Sequence, residues 1–217
     1  MSYEISSRIE STGLVPVITI DDAENVMALG KALAEGGLPV AEVTFRTGAA
    51  AEAIRILCGE FPDLLVGAGT VLSTDKVREA IQAGAQFIVT PGFNECVVEY
   101  CLQENVPVFP GVCTPTDIES ALKKALSVLK FFPAEAIGGV SYLKAISAPY
   151  SKVRFIPTGG IDSHNLSEYL SLSTVIACGG SWIVSPDLLA AKRFNEITRR
   201  VGEAVELVRR VREGNTE

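Results

Sequence analysis

The feature that most constrains this chain is a repeat of form rather than of letters. An apolar run short enough to be a strand is followed by a stretch with helical spacing, and the unit recurs eight times. The runs begin near Leu14, Val40, Leu64, Gln86, Val106, Val128, Val153 and Val175, roughly 20 to 25 residues apart. Helical stretches fall between them at about 22–35, 48–60, 74–83, 94–104, 116–126, 139–147 and 164–170, and a last amphipathic helix covers about 194–211. A leading helix is expected over 3–12, where Ile5 and Ile9 share a face. Asp21 and Asp22 stand where a helix N-cap belongs, and Gly36-Gly37 closes that helix. Alternating β and α units build parallel sheets buried on both faces. A doubly wound open sheet predicts fewer strands and a glycine-rich turn after the first. Here that turn reads Asp21-Asp22-Ala23-Glu24. The expectation is therefore one (β/α)8 (TIM) barrel with an extra N-terminal helix, a single domain over 1–217, short for a fold that usually runs to ~250 residues.

Composition narrows the chemistry. Apolar residues make up 47% and charged residues 21%, which suits a globular protein with ample core. No apolar run is long enough to span a membrane. Met1-Ser2-Tyr3-Glu4-Ile5 shows no basic region followed by an apolar one, so a cytoplasmic setting is expected. A net charge of −7 argues against nonspecific nucleic-acid binding but leaves room for a phosphorylated ligand held by backbone N–H groups. The five cysteines form no CxxC pair, and His164 is the one histidine. A histidine-rich zinc site cannot be assembled, and acid–base work falls mainly on carboxylates, lysine, tyrosine or water; no metal and no cofactor are expected. His164 itself reads as surface or helix cap.

Lys130 is the odd residue in this inventory. It sits in the middle of Val128-Leu129-Lys130-Phe131-Phe132, an apolar strand ended by Pro133. A lysine there must find a partner, reach water along its stem, or lose its proton, and a neutral lysine attacks carbonyls. The alternative is a strand-end lysine with its head in solvent.

In such a barrel, function sits at the C-terminal ends of the strands. On the second strand, alternation puts Glu42, Thr44 and Arg46 on one face, directed into the barrel, and Val43 and Phe45 on the other. A Glu42–Arg46 pair that only fixes packing is the competing reading. The third strand ends Gly67-Ala68-Gly69-Thr70, where glycine permits close approach and Thr70 offers a hydroxyl. The fourth and fifth end in Pro91-Gly92 and Pro110-Gly111. The seventh and eighth run into Gly159-Gly160 and Gly179-Gly180-Ser181, the positions where these barrels commonly bind phosphate on backbone N–H groups. A lysine, a carboxylate, an arginine, a threonine and a phosphate site suit Schiff-base chemistry on a phosphorylated keto compound.

The runs EVTFRT, VGAGTVL, TPGF, PVFPGV, LKFFPAE, GGV, RFIPTGGI and CGGSW, in that order from about Val15 to Ser185, resemble the 2-dehydro-3-deoxy-phosphogluconate and 4-hydroxy-2-oxoglutarate aldolase family. The resemblance implies a metal-independent class I aldolase, commonly a homotrimer, that splits a phosphorylated keto sugar acid into pyruvate and glyceraldehyde 3-phosphate. It also implies cleavage of 4-hydroxy-2-oxoglutarate. By motif, Lys130 matches the Schiff-base lysine and Glu42 the general acid/base. Arg46 and Thr70 match the residues on the pyruvyl carboxylate, Pro91 and Phe132 line the pyruvyl pocket, and Gly159, Gly160, Gly180 and Ser181 form the phosphate loops. The rivals are a 2-dehydro-3-deoxy-6-phosphogalactonate aldolase of the same fold, an enzyme acting mainly on 4-hydroxy-2-oxoglutarate, and a non-catalytic sugar-phosphate-binding barrel. One departure stands out. The stretch 120–126 has no glycine where a glycine-rich helix end is expected, and it carries Lys123 and Lys124.

Overall fold

The structure, a computed structural model, describes residues 2–214. The expected domain span of 1–217 thus includes four residues outside the described ones. The leading helix α1 is Ser2–Thr12 and ends at Gly13, whose φ of +65° is the left-handed conformation that closes a helix without Cβ strain. Nine short strands follow among the described residues: β1 Leu14–Ile18, β2 Val40–Thr44, β3 Leu65–Gly69, β4 Phe87–Val89, β5 Val108–Phe109, β6 Gly111–Val112, β7 Val128–Phe131, β8 Arg154–Pro157 and β9 Cys178–Gly180. Between them lie α2 Val26–Glu35, α3 Ala50–Glu60, α4 Thr74–Gln82, α5 Glu95–Gln103, α6 Pro115–Lys123, α7 Gly139–Ser147 and α8 Leu166–Leu170. The helices α9 Pro186–Ala190 and α10 Phe194–Gly214 complete the described residues.

All pairings are parallel. One sheet runs β5-β4-β3-β2-β1-β9 and a second runs β6-β7-β8. Only Pro110 separates β5 from β6. A proline has no N–H to give a ladder, so the strand breaks there and each half pairs with a different neighbour. At the other seam, bridges Phe155↔Val175 and Thr158↔Gly179 join β8 to the last strand. The ring therefore closes on eight staves, the (β/α)8 barrel, with β5 and β6 as two halves of the fifth.

The expected boundaries hold to within a few residues, with three differences besides the break at Pro110. The last strand pairs continuously only from Cys178, since Val175 contributes a lone bridge. The short helix α9, begun by Pro186 at its first turn, is an element that the spacing did not announce. Arg46 lies two residues past the end of β2 and is exposed, not on the buried inward face, because β2 stops at Thr44 and the chain has reached the barrel mouth.

Strand alternation sorts the side chains. On β7, Leu129 and Phe131 are fully buried on the outer face, where Phe131 stacks on Tyr142 of α7 at 6.0 Å and meets Phe155 edge-on at 6.4 Å. Burial of each such ring contributes about 1.5–3 kcal/mol. Lys130, between them, points inward. Ile9 of α1 lines the same interior space as Val15, Phe87, Phe109 and Ile156, so α1 stoppers the N-terminal end of the barrel and leaves the C-terminal mouth open for chemistry. Among the described residues no helix is long and apolar enough to cross a membrane.

Candidate active site

Two inward positions carry the charge. Glu42 on β2 is 3% exposed and Lys130 on β7 is 5% exposed. They approach from opposite sides of the barrel, Lys130 Nζ donating to Glu42 Oε1 at 3.3 Å. Glu42 thus pairs with Lys130, not with Arg46. An isolated charge at such depth is costly, and each group makes the other tolerable. The Lys130 ammonium also stands 5.3 Å from the centre of the Phe132 ring. Room for the carboxylate is made in sequence by Gly69. A Cβ there would lie 2.2 Å from Glu42 Oε1, so only glycine fits beneath it. Gly67 does the same for the Phe87 ring, at 2.2 Å.

The mouth is built from strand ends. Thr70 follows β3 with φ +55°, an uncommon conformation for a β-branched residue and one that clusters at functional sites. Pro91 follows β4, and its carbonyl packs on Gly111, where a Cβ would sit 2.2 Å from the oxygen. The Thr90 hydroxyl donates to Gly92 O at 2.7 Å and accepts from Gly111 N–H at 3.4 Å, which fixes that turn. Arg46 is exposed at the rim, where a guanidinium can meet a carboxylate arriving from solvent.

Gly159 and Gly160 form a turn just past β8, whereas Gly179 and Gly180, expected in a second turn, are the last two residues of β9 itself and pair with Val15 and Pro16 of β1. Gly159 and Gly160 have φ of +103° and +78°, which other residues adopt only with strain. Both carbonyls are engaged by the protein. Gly159 O accepts from Glu135 N–H at 3.0 Å, and Gly160 O accepts from Asn165 Nδ2 at 3.0 Å. Oxygens that would repel an anion are thereby occupied. Gly159 also abuts the Phe132 ring, from which a Cβ on it would lie 3.3 Å. Gly180 ends β9 under the Trp182 indole, and Ser181 is exposed beside it.

Two residues were not anticipated. Thr158, 6% exposed, lines the interior with Glu42 and Lys130, and Gly179 leaves space for its hydroxyl. Its signal was present: it is a polar residue two positions after Ile156, on the same inward face. Asn165 holds the Gly160 turn through its side chain, and no local pattern marks it. The remaining candidates fall away. Lys124 is bound to Glu95 at 3.0 Å and Glu99 at 2.6 Å, and Lys123 is exposed on α6. His164 is exposed and its backbone N–H is capped by Asp162. Burial pushes the Cys101 thiol up to about 12 and Cys178 higher, so neither is a nucleophile at neutral pH.

A family model described as KDPG and KHG aldolase matches residues 5–200. The chain is 45% identical over 212 residues to a 2-dehydro-3-deoxy-phosphogluconate aldolase of Haemophilus influenzae, covering 96% of this chain and 100% of the relative. It is 44% identical over 202 residues to the KHG/KDPG aldolase of Escherichia coli, covering 93% and 95%. Among solved structures, a Legionella pneumophila KDPG aldolase with pyruvate captured as a covalent carbinolamine superposes with a TM-score of 0.89 at 37% identity, covering 92% of this chain and 97% of that one. With a match over nearly its whole length, the chain belongs to the KDPG and KHG aldolase family.

Proposed function

We propose that the protein is a class I aldolase that cleaves 2-dehydro-3-deoxy-6-phosphogluconate to pyruvate and glyceraldehyde 3-phosphate, and 4-hydroxy-2-oxoglutarate to pyruvate and glyoxylate. The observation that carries this reading is the buried Lys130–Glu42 pair at the mouth of a barrel of this family. Glu42 takes a proton from Lys130, and the free amine attacks the C2 ketone of the substrate. After a proton shifts from nitrogen to oxygen, Glu42 returns its own proton to the carbinolamine hydroxyl, which leaves as water to give the iminium. Glu42, again a carboxylate, then removes the C4 hydroxyl proton, directly or through a water. The C3–C4 bond breaks, its electrons pass into the iminium as an enamine, and the aldehyde leaves. The same proton returns from Glu42 to C3, and water hydrolyses the pyruvyl iminium to release pyruvate and Lys130.

The other groups serve this sequence. Arg46 and Thr70 hold the substrate carboxylate, while Pro91 and Phe132 wall the pyruvyl end. Gly159, Gly160, Gly180 and Ser181 receive the phosphate. The shorter unphosphorylated substrate needs the pyruvyl contacts alone. The test is a borohydride trap with pyruvate. An adduct on Lys130, formed equally in the presence of chelator, is expected; folded protein that gives none sinks the mechanism. The assembly is read as a cytoplasmic homotrimer. Sedimentation should return three times the 23.1 kDa chain mass, and a monomer would contradict it.

A further inference from the structure

Glu135 stands five residues past Lys130, at the start of the 3-10 turn Glu135–Ile137. It is exposed, yet its contacts join the Gly159–Gly160 turn to the helices α7 and α8. Its N–H donates to Gly159 O at 3.0 Å, next to a bond from Ala134 N–H to Thr158 O at 2.9 Å. Its stem packs on Gly160, where a Cβ would lie 2.6 Å from Glu135 Cβ and 2.7 Å from Cγ. Its Oε1 accepts the hydroxyl of Tyr169, a fully buried residue of α8. The same oxygen sits at the start of α7, 3.1 Å from where a Cβ on Gly139 would be. Burial, then the Glu135 carboxylate, raises the Tyr169 hydroxyl well above its ordinary value, so it remains a donor throughout the working range.

A carboxylate behind an anion-binding turn is unfavourable electrostatically, and a glutamate with no geometric duty would carry less cost elsewhere. We infer that Glu135, clamped by Tyr169, is a positioning residue that sets the Gly159–Gly160 turn for the substrate phosphate and ties it to the loop that follows Lys130. The inference rests on the phosphate reading of that turn. It predicts that phosphorylated substrate depends on the clamp and that pyruvate does not.

The test compares Tyr169→Phe, Glu135→Ala and Glu135→Gln with the native protein. Three quantities are read: kcat and KM for 2-dehydro-3-deoxy-6-phosphogluconate, competitive inhibition by inorganic phosphate, and the pyruvate concentration giving half-maximal borohydride trapping on Lys130. Tyr169→Phe removes one oxygen and keeps the buried ring, so the clamp is probed without emptying the core. Tyr169→Phe and Glu135→Ala should raise KM about tenfold with kcat within about twofold, and weaken phosphate inhibition in parallel. Half-maximal pyruvate should not move. Glu135→Gln keeps an acceptor for Tyr169 and removes the like charge, so its KM should equal the native value or fall below it. An unchanged KM, an equal shift in the pyruvate arm, or a Glu135→Gln protein that behaves like Glu135→Ala overturns the inference. Native protein that inorganic phosphate does not inhibit overturns the phosphate reading beneath it, whatever the variants do. Absence of any Lys130 adduct would instead strike at the aldolase reading.

Discussion

Lys130 Nζ lies 3.3 Å from Glu42 Oε1 across the barrel, with both side chains under a tenth exposed. The two residues are 88 positions apart in sequence, and the meeting depends on closure of the barrel. A proton can pass between them without bulk water, which is what successive nucleophilic and acid–base roles require.

Separating the two roles gives the first prediction. Lys130→Met should abolish the trapped pyruvate adduct and all cleavage. Glu42→Gln keeps the shape of the partner but not the base. It should still form some adduct while kcat falls by about 10² to 10⁴. Mass spectrometry of the trapped protein and steady-state kinetics read the two effects. A Glu42→Gln enzyme with native kcat would remove Glu42 from the proton path.

Gly69 gives the second. Its absent side chain is the space into which the Glu42 carboxylate fits, so Gly69→Ala must displace Glu42 or the strand. Overpacking of this kind typically costs about 1–3 kcal/mol, and the misplaced base should lower kcat by tenfold or more. Thermal melting and kcat check both parts. Native values for both would mean that the carboxylate has slack that the packing does not show.

The barrel was legible because strand and helix alternate with a period that survives weak local signals, and Lys130 was legible because a cation interrupts an otherwise apolar run. Glu42 could be assigned to the inward face by alternation alone. Its partner could not, since Arg46 is near in sequence while Lys130 is near only after closure. Tyr169 acts by reaching a turn contributed by another segment, 34 residues earlier, and nothing local marks such a contact; Asn165 reaches back only within its own loop, but its sequence neighbours carry no pattern that singles it out. Pro110 was visible, but not that it would divide one strand between two ladders.

The glycine-free stretch before β7 yields a third prediction. Helix α6 ends at Lys123, and Ala125 then adopts φ +58°, the left-handed conformation that glycine favours there. An L residue in it carries roughly 1–2 kcal/mol of strain. Ala125→Gly should therefore stabilise the protein by about 0.5–1 kcal/mol, less than the full strain because glycine also frees the unfolded chain. Urea unfolding should show a higher midpoint at an unchanged slope, with kcat and KM untouched. A lower midpoint would mean that Ala125 contributes packing that outweighs its strain.

The last prediction concerns acid. Thr114 and Asp117 form a capping box at the start of α6: Asp117 N–H donates to Thr114 Oγ1 at 3.2 Å, and Asp117 Oδ2 accepts from Cys113 N–H at 3.0 Å and Thr114 N–H at 2.9 Å. Partial burial pushes the Asp117 carboxyl upward, but the Cys113 and Thr114 hydrogen bonds together outweigh it and hold the group below its ordinary value. A depressed carboxyl contributes stability that is present above its unfolded value, near pH ~4, and is lost as pH falls through the folded one. Asp117→Asn keeps an acceptor oxygen but not the charge, and it should cost about 0.5–1 kcal/mol at neutral pH. That gap should stay constant down to about pH 5, narrow below it, and close once the native carboxyl is protonated. Urea midpoints of the two proteins across this range trace the convergence. A gap that persists unchanged into strong acid would mean that shape alone, and not the charge on Asp117, caps the helix.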